Sequence, residues 1–403
     1  MTSIIVVISK NDTISSLMKV ALGMSGGVDS SLCAHLLVEQ GYDVTGVYLE
    51  CWETPGCGID EDRKDALQIA LKLRIPFKVL DFKKEYKENV VKYFFKEYEK
   101  GLTPNPDVMC NKEIKFGLFY DWAMDEGFDF VATGHYAKIA KKQLCIPKDT
   151  HKDQTYFLYL MNQDQISHTL FPLQDLNKTE VRAEAEKRGL HVSNKKDSVG
   201  ICFIGDINVH EFLKERLGEN PGNVVDSAGN IIGTHKGLWF YTIGQRSGFQ
   251  INKKVVIKQD DGTIINKENI PPFYVIKKLA EKNQLIVGFG GETLSNEFKI
   301  RDEHWIAKEN RELAENKNPD KKNNLLVRIR HTGELLKCEL NKTDSKAAED
   351  ENSYQVKLQK PIQGIAEGQS AVFYLCPRGY LCPPGEYKKT NNEIICLGGG
   401  IVS

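Results

Sequence analysis

The cysteine at position 110 lies where a thiol could react. It follows the turn-forming triplet Asn105, Pro106 and Asp107 and precedes a lysine-rich amphipathic stretch, so we expect an exposed loop. A thiol there could pack, bind a metal, form a disulfide or attack a substrate. The sequence has no C-x-x-C pair and no histidine pair with finger-like spacing, which disfavours structural zinc. The cysteines are Cys33, Cys51, Cys57, Cys110, Cys145, Cys202, Cys338, Cys376, Cys382 and Cys396.

A second chemical feature is the glycine-rich stretch GMSGGVDSS, from Gly23 to Ser31, between a strand-like and a helix-like segment. Ligands of α/β sheets bind at such a junction, because glycines let backbone N–H groups approach a phosphate and the helix N-terminus is partly positive. The loop has neither the Walker lysine nor the G-x-G-x-x-G spacing. Asp29 would repel a phosphate unless Mg²⁺ lay between them. The loop therefore predicts a nucleotide phosphate site with a metal contact.

The segments that must position these residues alternate between strand and helix in the first half. Lys19–Met24 and Asp43–Glu50 are typical buried strands. Between the second strand and the next one, residues 60–73 carry apolar side chains at i, i+3, i+4 and i+7, which is one helical face. This alternation predicts an α/β fold with a parallel sheet covered on both faces.

The second half changes character after about residue 205. Glycines and β-formers with turn signals every 8–12 residues predict small β structure. Residues 271–289 predict a hairpin with an asparagine-containing turn, and the polar run 307–324 predicts a loop or insertion. We expect a catalytic nucleotide-binding domain over 1–215, a small central β domain over 216–285 and a C-terminal β-barrel over 286–403.

The bulk composition restricts the partners and the compartment. Lys plus Arg number 54 and Asp plus Glu 55, a formal net charge of −1, so a nucleic acid would have to bind local basic patches. No apolar run approaches the roughly 18 residues that span a bilayer, and we expect no membrane partner. Residues 1–20 lack a basic n-region and a cleavage site, so we expect a cytoplasmic protein without a disulfide framework. We expect residues 1–17 to be an upstream extension or the result of a mis-assigned start.

The stretch S-G-G-x-D-S resembles the pyrophosphate loop of the N-type ATP pyrophosphatases, which implies cleavage of ATP between its α- and β-phosphates. Alone it leaves open amidation by synthetase-like enzymes and tRNA modification. Four further stretches discriminate: NPDVMCNKEIKFG, DFVATGHYAKI, HKDQTYFLYLM and DSVGICFIGD. With GLWFYTIGQRSGF, EGQSAVFY and CLGGGIV, they resemble the tRNA-specific 2-thiouridylases from about Met18 onward. That family thiolates the wobble uridine of certain tRNAs.

Replacing a uracil oxygen by sulfur requires adenylation of the oxygen and delivery of an activated sulfur. A persulfide on one cysteine can supply the sulfur, and a second cysteine can release it by thiol–disulfide exchange. The resemblance assigns the nucleophile to Cys110 and the persulfide to Cys202, with a transient disulfide between them. It places Asp107 beside the target base, where a carboxylate can transfer a proton. The apolar surroundings of Cys202 would raise its pKa, so we expect Lys195 or Lys196 to compensate.

The resemblance also assigns binding residues and partners. The residues expected to hold ATP, which would bind with Mg²⁺, are Gly23, Met24, Ser25, Gly26, Gly27, Val28, Asp29, Ser30, Leu49 and Gly134. The residues expected to contact tRNA are Asn105, Pro106, Asp107, His135, Lys152, Asp153, Gln154, Arg328, Ile329 and Gln369. The target base must leave the anticodon stack. The lysine-rich segments 138–152 and 251–258 could meet phosphates. The second expected partner is a sulfur donor protein, either a cysteine desulfurase or a relay protein.

Three other functions compete with this one. A small-molecule ligase or amidotransferase of the ATP pyrophosphatase type predicts a glutaminase domain or ammonia channel and needs no paired cysteines, and nothing in the β half resembles a glutaminase. A non-catalytic RNA-binding protein predicts that Cys110 and Cys202 are dispensable. Another type of tRNA thiolase would carry different RNA-binding domains. For Cys51 and Cys57, spaced C-x₅-C near the glycine-rich loop, we expect packing, with metal binding as the alternative.

Overall fold

The computed structural model describes residues 17–52, 59–197, 200, 202, 204, 208–251, 257–258, 264–265, 272–315, 324–343, 354–376 and 393–403. The expectations for residues 1–16, for Cys57 and for most of the segment 251–258 lie outside these residues.

The first half of the chain forms a parallel sheet of five strands in the order β3-β2-β1-β4-β7. The strands of this half are β1 (Lys19–Gly23), β2 (Asp43–Glu50), β3 (Phe77–Asp81), β4 (Phe130–Ala132), β5 (Lys138–Ala140), β6 (Gln143–Cys145) and β7 (Thr169–Leu170). Six successive residues of β2 are buried, because layers on both faces cover a parallel sheet. The predicted α/β sheet is confirmed.

Helices cover both faces of this sheet. They are α1 (Val28–Glu39), α2 (Ile59–Leu73), α3 (Lys83–Tyr86), α4 (Lys92–Glu99), α5 (Pro106–Cys110), α6 (Phe119–Asp125), α7 (Gln163–Ser167), α8 (Lys178–Lys187) and α9 (Val209–Leu217). Two π-helical segments, Lys87–Val91 and Asn111–Leu118, continue α3 and α5, and Thr155–Phe157 is a 3₁₀ turn. Val20 and Leu22 pack with α1 and α8 on one face, whereas Ala21 packs with Cys110 on the other.

The strand order creates a crevice at the end of β1. The chain leaves β1 toward β2 on one side and returns later as β4 on the other, so the crossovers diverge there. Ligands of open α/β sheets bind at this kind of switch point. The glycine-rich loop after β1 and the segment after β4 therefore meet at the same edge.

The central part is a five-stranded sheet in the order β10-β9-β8-β14-β13, with a separate two-stranded ladder. Its strands are β8 (Gly222–Val225), β9 (Ile231–His235), β10 (Gln250–Ile251), β11 (Ile257–Lys258), β12 (Ile264–Ile265), β13 (Tyr274–Leu279) and β14 (Gln284–Gly288). Short 3₁₀ turns lie at Leu238–Phe240, Ala280–Lys282 and Gly290–Thr293. The predicted hairpin is confirmed: β13 and β14 pair antiparallel, and Asn283 takes the left-handed turn conformation at a φ of 47°.

The C-terminal strands close into an antiparallel barrel, as predicted. They are β15 (Leu294–Trp305), β16 (Asn324–Arg328), β17 (Leu336–Lys342), β18 (Tyr354–Gln363), β19 (Ser370–Cys376) and β20 (Ile395–Val402). The ladder runs β15-β18-β17-β16-β19-β20, and β20 pairs with β15 again. The hairpin β5–β6 of the first half joins β20 through Cys145 and Ile395. The barrel sheet is therefore hydrogen-bonded directly to the first half of the chain.

The expectation of a loop or insertion over 307–324 is wrong for its first half. Lys308–Glu315 forms the helix α10, and residues 316–323 lie outside the described part. Asn310 and Ala314, one helical turn apart, are buried against the barrel, and the Asn310 amide donates to the carbonyl of Leu397 at 3.1 Å. The polar sequence gave no sign of a buried helix face, because that face contains an asparagine. Its hydrogen bond, which makes burial possible, cannot be seen in the sequence.

Within the part of the chain that the structure describes, none of the helices is long and apolar enough to cross a bilayer.

Candidate active site

The loop between β1 and α1 is built for close approach by a ligand. Gly26 has a φ of +74°, and a Cβ there would lie 2.1 Å from the carbonyl oxygen of Asp62 in α2. Only glycine fits, because the backbone is left-handed and another backbone touches it. The amide of Ser25 donates to the Ser30 hydroxyl at 3.1 Å, and that hydroxyl donates to the Gly27 carbonyl at 3.3 Å. These bonds hold the loop in a compact turn.

The N-terminus of α1 has donors to offer. Among the described residues, no side chain caps this helix end at Gly27, so the first N–H groups keep their capacity to bind an anion. The Ser31 hydroxyl is buried without a described partner. Gly134, which follows β4, backs this turn so closely that a Cβ would lie 3.0 Å from the Ser30 amide nitrogen. These features fit the phosphates of a nucleotide.

The loop lacks a lysine, but the fold brings one to it. Lys178, the first residue of α8, places its ammonium 2.8 Å from both carboxylate oxygens of Asp29 and 2.8 Å from Asp197. The Tyr136 hydroxyl donates to Asp29 at 2.9 Å. The cation beside Asp29 in this structure is therefore an ammonium, whereas the sequence predicted a metal contact, which stays a prediction.

Asp197 gathers three basic side chains at this edge. Besides Lys178, the side chains of Lys152 and Arg182 each contact it at 2.7 Å. Burial alone would raise the pKa of Asp197, but the hydrogen bonds from Lys152 and Lys178 outweigh burial and lower it to about 2. Lys152, Lys178 and Arg182 therefore bring three cations to this edge, where the carboxylates of Asp29, Asp149 and Asp197 also lie.

The predicted pair of thiols is brought together on the other side of the same edge. Cys110 is the last residue of α5, and its thiol forms a hydrogen bond with that of Cys202. The backbone of Cys202 is held at both ends: its N–H donates to Asp107 at 2.9 Å, and its carbonyl accepts from the Tyr86 hydroxyl at 2.6 Å. Cys110, Cys202 and Asp107 therefore form one site, as the sequence predicted.

The two thiols differ in exposure and acidity. Cys110 is fully buried, whereas Cys202 is partly exposed. Burial, and the hydrogen bond with Cys202, raise the pKa of Cys110 well above its usual range. The same hydrogen bond and the ammonium of Lys115 lower the pKa of Cys202, although burial opposes this. Cys202 is therefore the more acidic and the more exposed thiol of the pair.

The pKa of the Asp107 carboxyl group is shifted upward, whereas that of Cys202 is shifted downward. Burial raises its pKa, while the Cys202 N–H and Lys115 partly offset this effect. A carboxyl group whose pKa is shifted toward neutrality can exchange a proton with a bound base.

Two expectations about this site are wrong. Cys110 does not lie on an exposed loop, because Asn105 caps α5 by accepting from the amides of Asp107 and Val108 at 3.1 and 3.3 Å, with Pro106 at the first helical position. The triplet starts a helix whose last residue points inward.

The charge facing Cys202 comes from Lys115 and not from Lys195 or Lys196. Lys195 forms ion pairs with Asp62 at 2.7 Å and with Asp65, and its ammonium donates to the Gly26 carbonyl at 3.2 Å. Lys196 is exposed.

Curated relatives match almost the whole length of the chain. A curated relative from Shewanella sp. (strain MR-4), named tRNA-specific 2-thiouridylase MnmA, is 38% identical over 397 residues, which are 95% of each chain. A second from Shewanella baltica (strain OS185), of the same name, is 39% identical over 398 residues with the same coverage. The chain belongs to the tRNA-specific 2-thiouridylase family. The resemblance found in the sequence is confirmed.

The family models divide the chain into three parts. Residues 18–206 match a model described as "tRNA methyl transferase HUP domain", residues 210–289 a "tRNA methyl transferase PRC-barrel domain" and residues 295–402 an "Aminomethyltransferase beta-barrel domain". Among solved structures, the U34-tRNA thiolase NcsA from Methanococcus maripaludis is 21% identical, with a TM-score of 0.32 over 45% of this chain and 59% of that one.

The remaining predicted ATP residues lie at the crevice. Met24 continues β1 by donating its amide to the Val47 carbonyl at 2.8 Å, and Val28 opens α1. Leu49 is buried near the end of β2 and pairs with Leu80. Their contact with a nucleotide stays a prediction.

The residues predicted to contact tRNA fall into two groups. Lys152 is exposed, and Asn105, Pro106, Asp107, Gln154 and Gln369 are partly exposed. The Gln369 amide donates to the Thr103 carbonyl at 2.8 Å, which connects the barrel to the loop before Asn105. His135, Asp153, Arg328 and Ile329 are buried. Asp153 and Arg328 form an ion pair at 2.6 Å, so in this structure they join the catalytic domain to the barrel. Whether these residues also meet tRNA stays a prediction.

Sequence reasoning missed Lys115, Lys178 and Tyr86. Lys178 and Tyr86 reach the site from distant segments, and no local pattern marks them. Lys115 lies in the quoted motif itself, five residues after Cys110. In an α-helix that spacing separates two side chains by roughly 140°, so the α-helical period gave no reason to pair them.

Proposed function

We propose that the protein is a tRNA-uridine 2-sulfurtransferase that uses ATP to convert the wobble uridine of tRNA into 2-thiouridine. The observation that carries the proposal is the adjacency of its two sites. Gly134 lies against the phosphate-binding turn of α1, and the next residue, His135, contacts Lys115 in the thiol site at 3.3 Å. The segment Gly134–His135 therefore connects the glycine-rich turn, through Lys115, with the site that holds the two thiols. Small-molecule amidation offers no role for such a pair.

The first half-reaction activates the uridine. The C2 oxygen attacks the α-phosphorus of ATP, pyrophosphate leaves, and the base carries an adenylated oxygen. The turn from Gly23 to Ser30 and the N-terminus of α1 bind the phosphates. Lys178 lies beside this turn, and bound Mg²⁺ would supply further positive charge near Asp29. Asp107, with its raised pKa, exchanges the proton that the base must lose or gain.

The second half-reaction delivers the sulfur. The Cys202 thiolate attacks the outer sulfur of a persulfide on a donor protein and displaces the donor thiolate. Cys110 then attacks the Cys202 sulfur, which forms a Cys110–Cys202 disulfide and expels hydrosulfide. Hydrosulfide adds to C2 of the adenylated uridine, and AMP leaves. A dithiol reductant restores both thiols in a two-electron step. The hydrogen bond between the two thiols supports direct disulfide formation.

The proposal is tested by nucleoside mass spectrometry of tRNA from cells that lack this chain. We expect 2-thiouridine derivatives to disappear at the wobble position and to return when the intact chain is supplied on a plasmid. Purified chain incubated with unmodified tRNA, ATP and a persulfide donor should form 2-thiouridine, AMP and pyrophosphate. Persistence of 2-thiouridine in the deletion strain, in the absence of a second enzyme of this family, contradicts the proposal.

Gly26→Ala is expected to weaken ATP binding by about 100-fold or more, because the new methyl group collides with the Asp62 carbonyl and the backbone is left-handed. Calorimetric titration with a non-hydrolysable ATP analogue measures this. Gly41→Ala is the matched control: its φ is +85°, but a Cβ there meets nothing within 4 Å. It shares the backbone penalty without the collision and should keep the wild-type affinity. Equal affinity of Gly26→Ala and wild type shows that ATP binds elsewhere.

A further inference from the structure

The π-helical segment Asn111–Leu118 brings Lys115 to the catalytic thiols. Its N–H groups bond five residues back, so each turn holds more residues than an α-turn, and side chains at i and i+5 lie closer in angle than they do in an α-helix. Cys110 and Lys115 have this spacing. Gly117 permits the wide turn, because a Cβ at that position would lie 2.8 Å from the carbonyl oxygen of Lys112. Such π turns are frequent at functional sites.

The ammonium of Lys115 has defined partners inside the site. It forms a hydrogen bond with the Cys202 thiol and lies near Cys110 and Asp107. Burial alone would lower the pKa of Lys115, but its interactions with Cys202, Cys110 and Asp107 raise it to about 12, so the side chain is a cation. Its Nζ also lies 3.3 Å from Nε2 of His135.

His135 is fitted to hold an ammonium in this position. Burial, with the charge of Lys115, lowers the pKa of His135 well below its usual range, so the imidazole is neutral. An ammonium can only donate, and therefore Nε2 accepts. The proton lies on Nδ1, which donates to the Thr133 hydroxyl oxygen at 2.8 Å. Thr133, immediately after β4, thus fixes the tautomer that receives Lys115.

We propose that Lys115 is a catalytic residue of sulfur transfer: its ammonium, positioned by neutral His135, holds Cys202 as a thiolate and then balances the charge of the persulfide that Cys202 carries. This role rests on the proposed function. The loading step is Cys202–S⁻ + R–S–SH → Cys202–S–SH + R–S⁻, so it begins with an anion on Cys202 and needs no proton from the site. A thiolate, not a thiol, performs this attack.

Other groups also affect the acidity of this thiol. Cys110 donates to Cys202 and favours its thiolate, whereas Asp107 opposes it. Cys51 and Tyr86 interact electrostatically with Cys202 as well. Cys51, Cys110, Tyr86 and Asp107 carry no positive charge, so replacing Lys115 removes the cation from this set.

The test measures the titration of Cys202 by its rate of alkylation with iodoacetamide between pH 6 and 10. Trypsin releases Cys202 in a peptide spanning 197–214, which contains no other cysteine, so mass spectrometry follows that thiol alone. Lys115→Met is expected to raise the midpoint by about 1–3 pH units. Lys112→Met is the matched control on the same segment, because Lys112 has a half-exposed side chain paired with Glu113 at 2.9 Å. It should leave the midpoint unchanged.

A second pair of variants tests the positioning by His135. His135→Gln keeps an acceptor near Nε2 and should retain the wild-type midpoint, whereas His135→Phe removes it and should raise the midpoint. If Lys115→Met does not fold, this pair decides the question, and equal midpoints overturn the proposal. A wild-type midpoint in folded Lys115→Met also overturns it. Alkylation requires neither tRNA nor ATP, so the result is independent of whether the wild-type chain thiolates tRNA.

The proposal also makes a kinetic prediction. Loading of Cys202 from glutathione persulfide at neutral pH should slow by at most about tenfold for each pH unit of the shift, because the smaller thiolate fraction is partly offset by stronger nucleophilicity. In the complete reaction, Lys115→Met should lower kcat and leave KM for tRNA unchanged, because Lys115 acts on the sulfur. A raised KM with an unchanged kcat overturns the assignment and makes Lys115 a tRNA contact.

Discussion

Replacing Cys202 by serine is expected to stop sulfur transfer while leaving the activation of tRNA intact. Serine cannot carry a persulfide, so the rate of 2-thiouridine formation should fall by a factor on the order of 10⁴ or more, as when a catalytic nucleophile is removed. In the proposed mechanism adenylation uses the loop from Gly23 to Ser30, whereas the backbone N–H and carbonyl of Cys202 bond to Asp107 and Tyr86. One equivalent of pyrophosphate per tRNA should therefore still be released in a single turnover.

Cys110→Ser should give the same loss of product by a different route. Cys202 can still receive sulfur, but no thiol releases it, so the persulfide on Cys202 should accumulate and be visible as a mass increase of its tryptic peptide. The two variants thus separate loading from release. Cys338→Ser is the control, because Cys338 is a buried barrel thiol whose described contact is with the Leu325 carbonyl.

Two outcomes contradict these roles. Accumulation of the persulfide on Cys110 in Cys202→Ser would reverse the assignment of the two thiols. Full thiolation of tRNA by both serine variants would refute the mechanism in which these cysteines carry the sulfur. It would not refute the 2-thiolation of tRNA by this protein. The structure argues against the reversal, since Cys110 is fully buried and Cys202 is partly exposed to an incoming donor.

The local features of the fold were predictable from sequence because their causes are local. A strand, a glycine-rich turn and a helix follow one another from Lys19 to Glu39, and each has its own signal in the residues. The join between β6 and β20 was not predictable. It pairs Cys145 with Ile395, and no pattern in either short segment identifies the other.

The site shows the same division between local and distant causes. Cys110, Cys202 and Asp107 followed from motifs and from the chemistry that the resemblance implies. The counter-ion of Cys202 could not be predicted in this way. Lys115 reaches the thiols through a π-helical turn, whereas residues at i and i+5 of an α-helix lie on different faces. Burial was also misjudged at Cys110, where Asn105 and Pro106 begin a capped helix that buries the thiol.

The other large effect concerns Asp153 and Arg328, which form an ion pair between the catalytic domain and the barrel. Their side chains are 1% and 9% exposed, and the guanidinium also lies over the Tyr374 ring at 5.3 Å. Asp153 accepts from the amide and hydroxyl of Thr155 at 2.9 and 2.7 Å. Removing one member of a buried pair leaves the other charged and uncompensated, which costs about 3–5 kcal/mol.

Asp153→Asn is therefore expected to destabilise the docked barrel by that amount and to lower the melting temperature by roughly 5 °C or more in calorimetry. Glu126→Gln is the charge-matched control. It breaks an exposed pair with Lys78 at 2.8 Å, which contributes about 1 kcal/mol or less. The double variant Asp153→Leu with Arg328→Met should recover stability, because two apolar groups leave no buried charge unpaired.

The same variant distinguishes the structural role from the predicted tRNA contact. If the pair only joins the domains, KM for tRNA measured well below the melting temperature should be unchanged in the double variant. If Arg328 also meets a phosphate, KM should rise and the salt dependence of binding should weaken by about one phosphate contact. Unchanged stability of Asp153→Asn would show that Arg328 finds another partner. Lys152 and Gln154 flank Asp153 in the chain. A loss of stability in Asp153→Asn would therefore also show that the barrel holds the segment carrying the exposed Lys152 side chain in place.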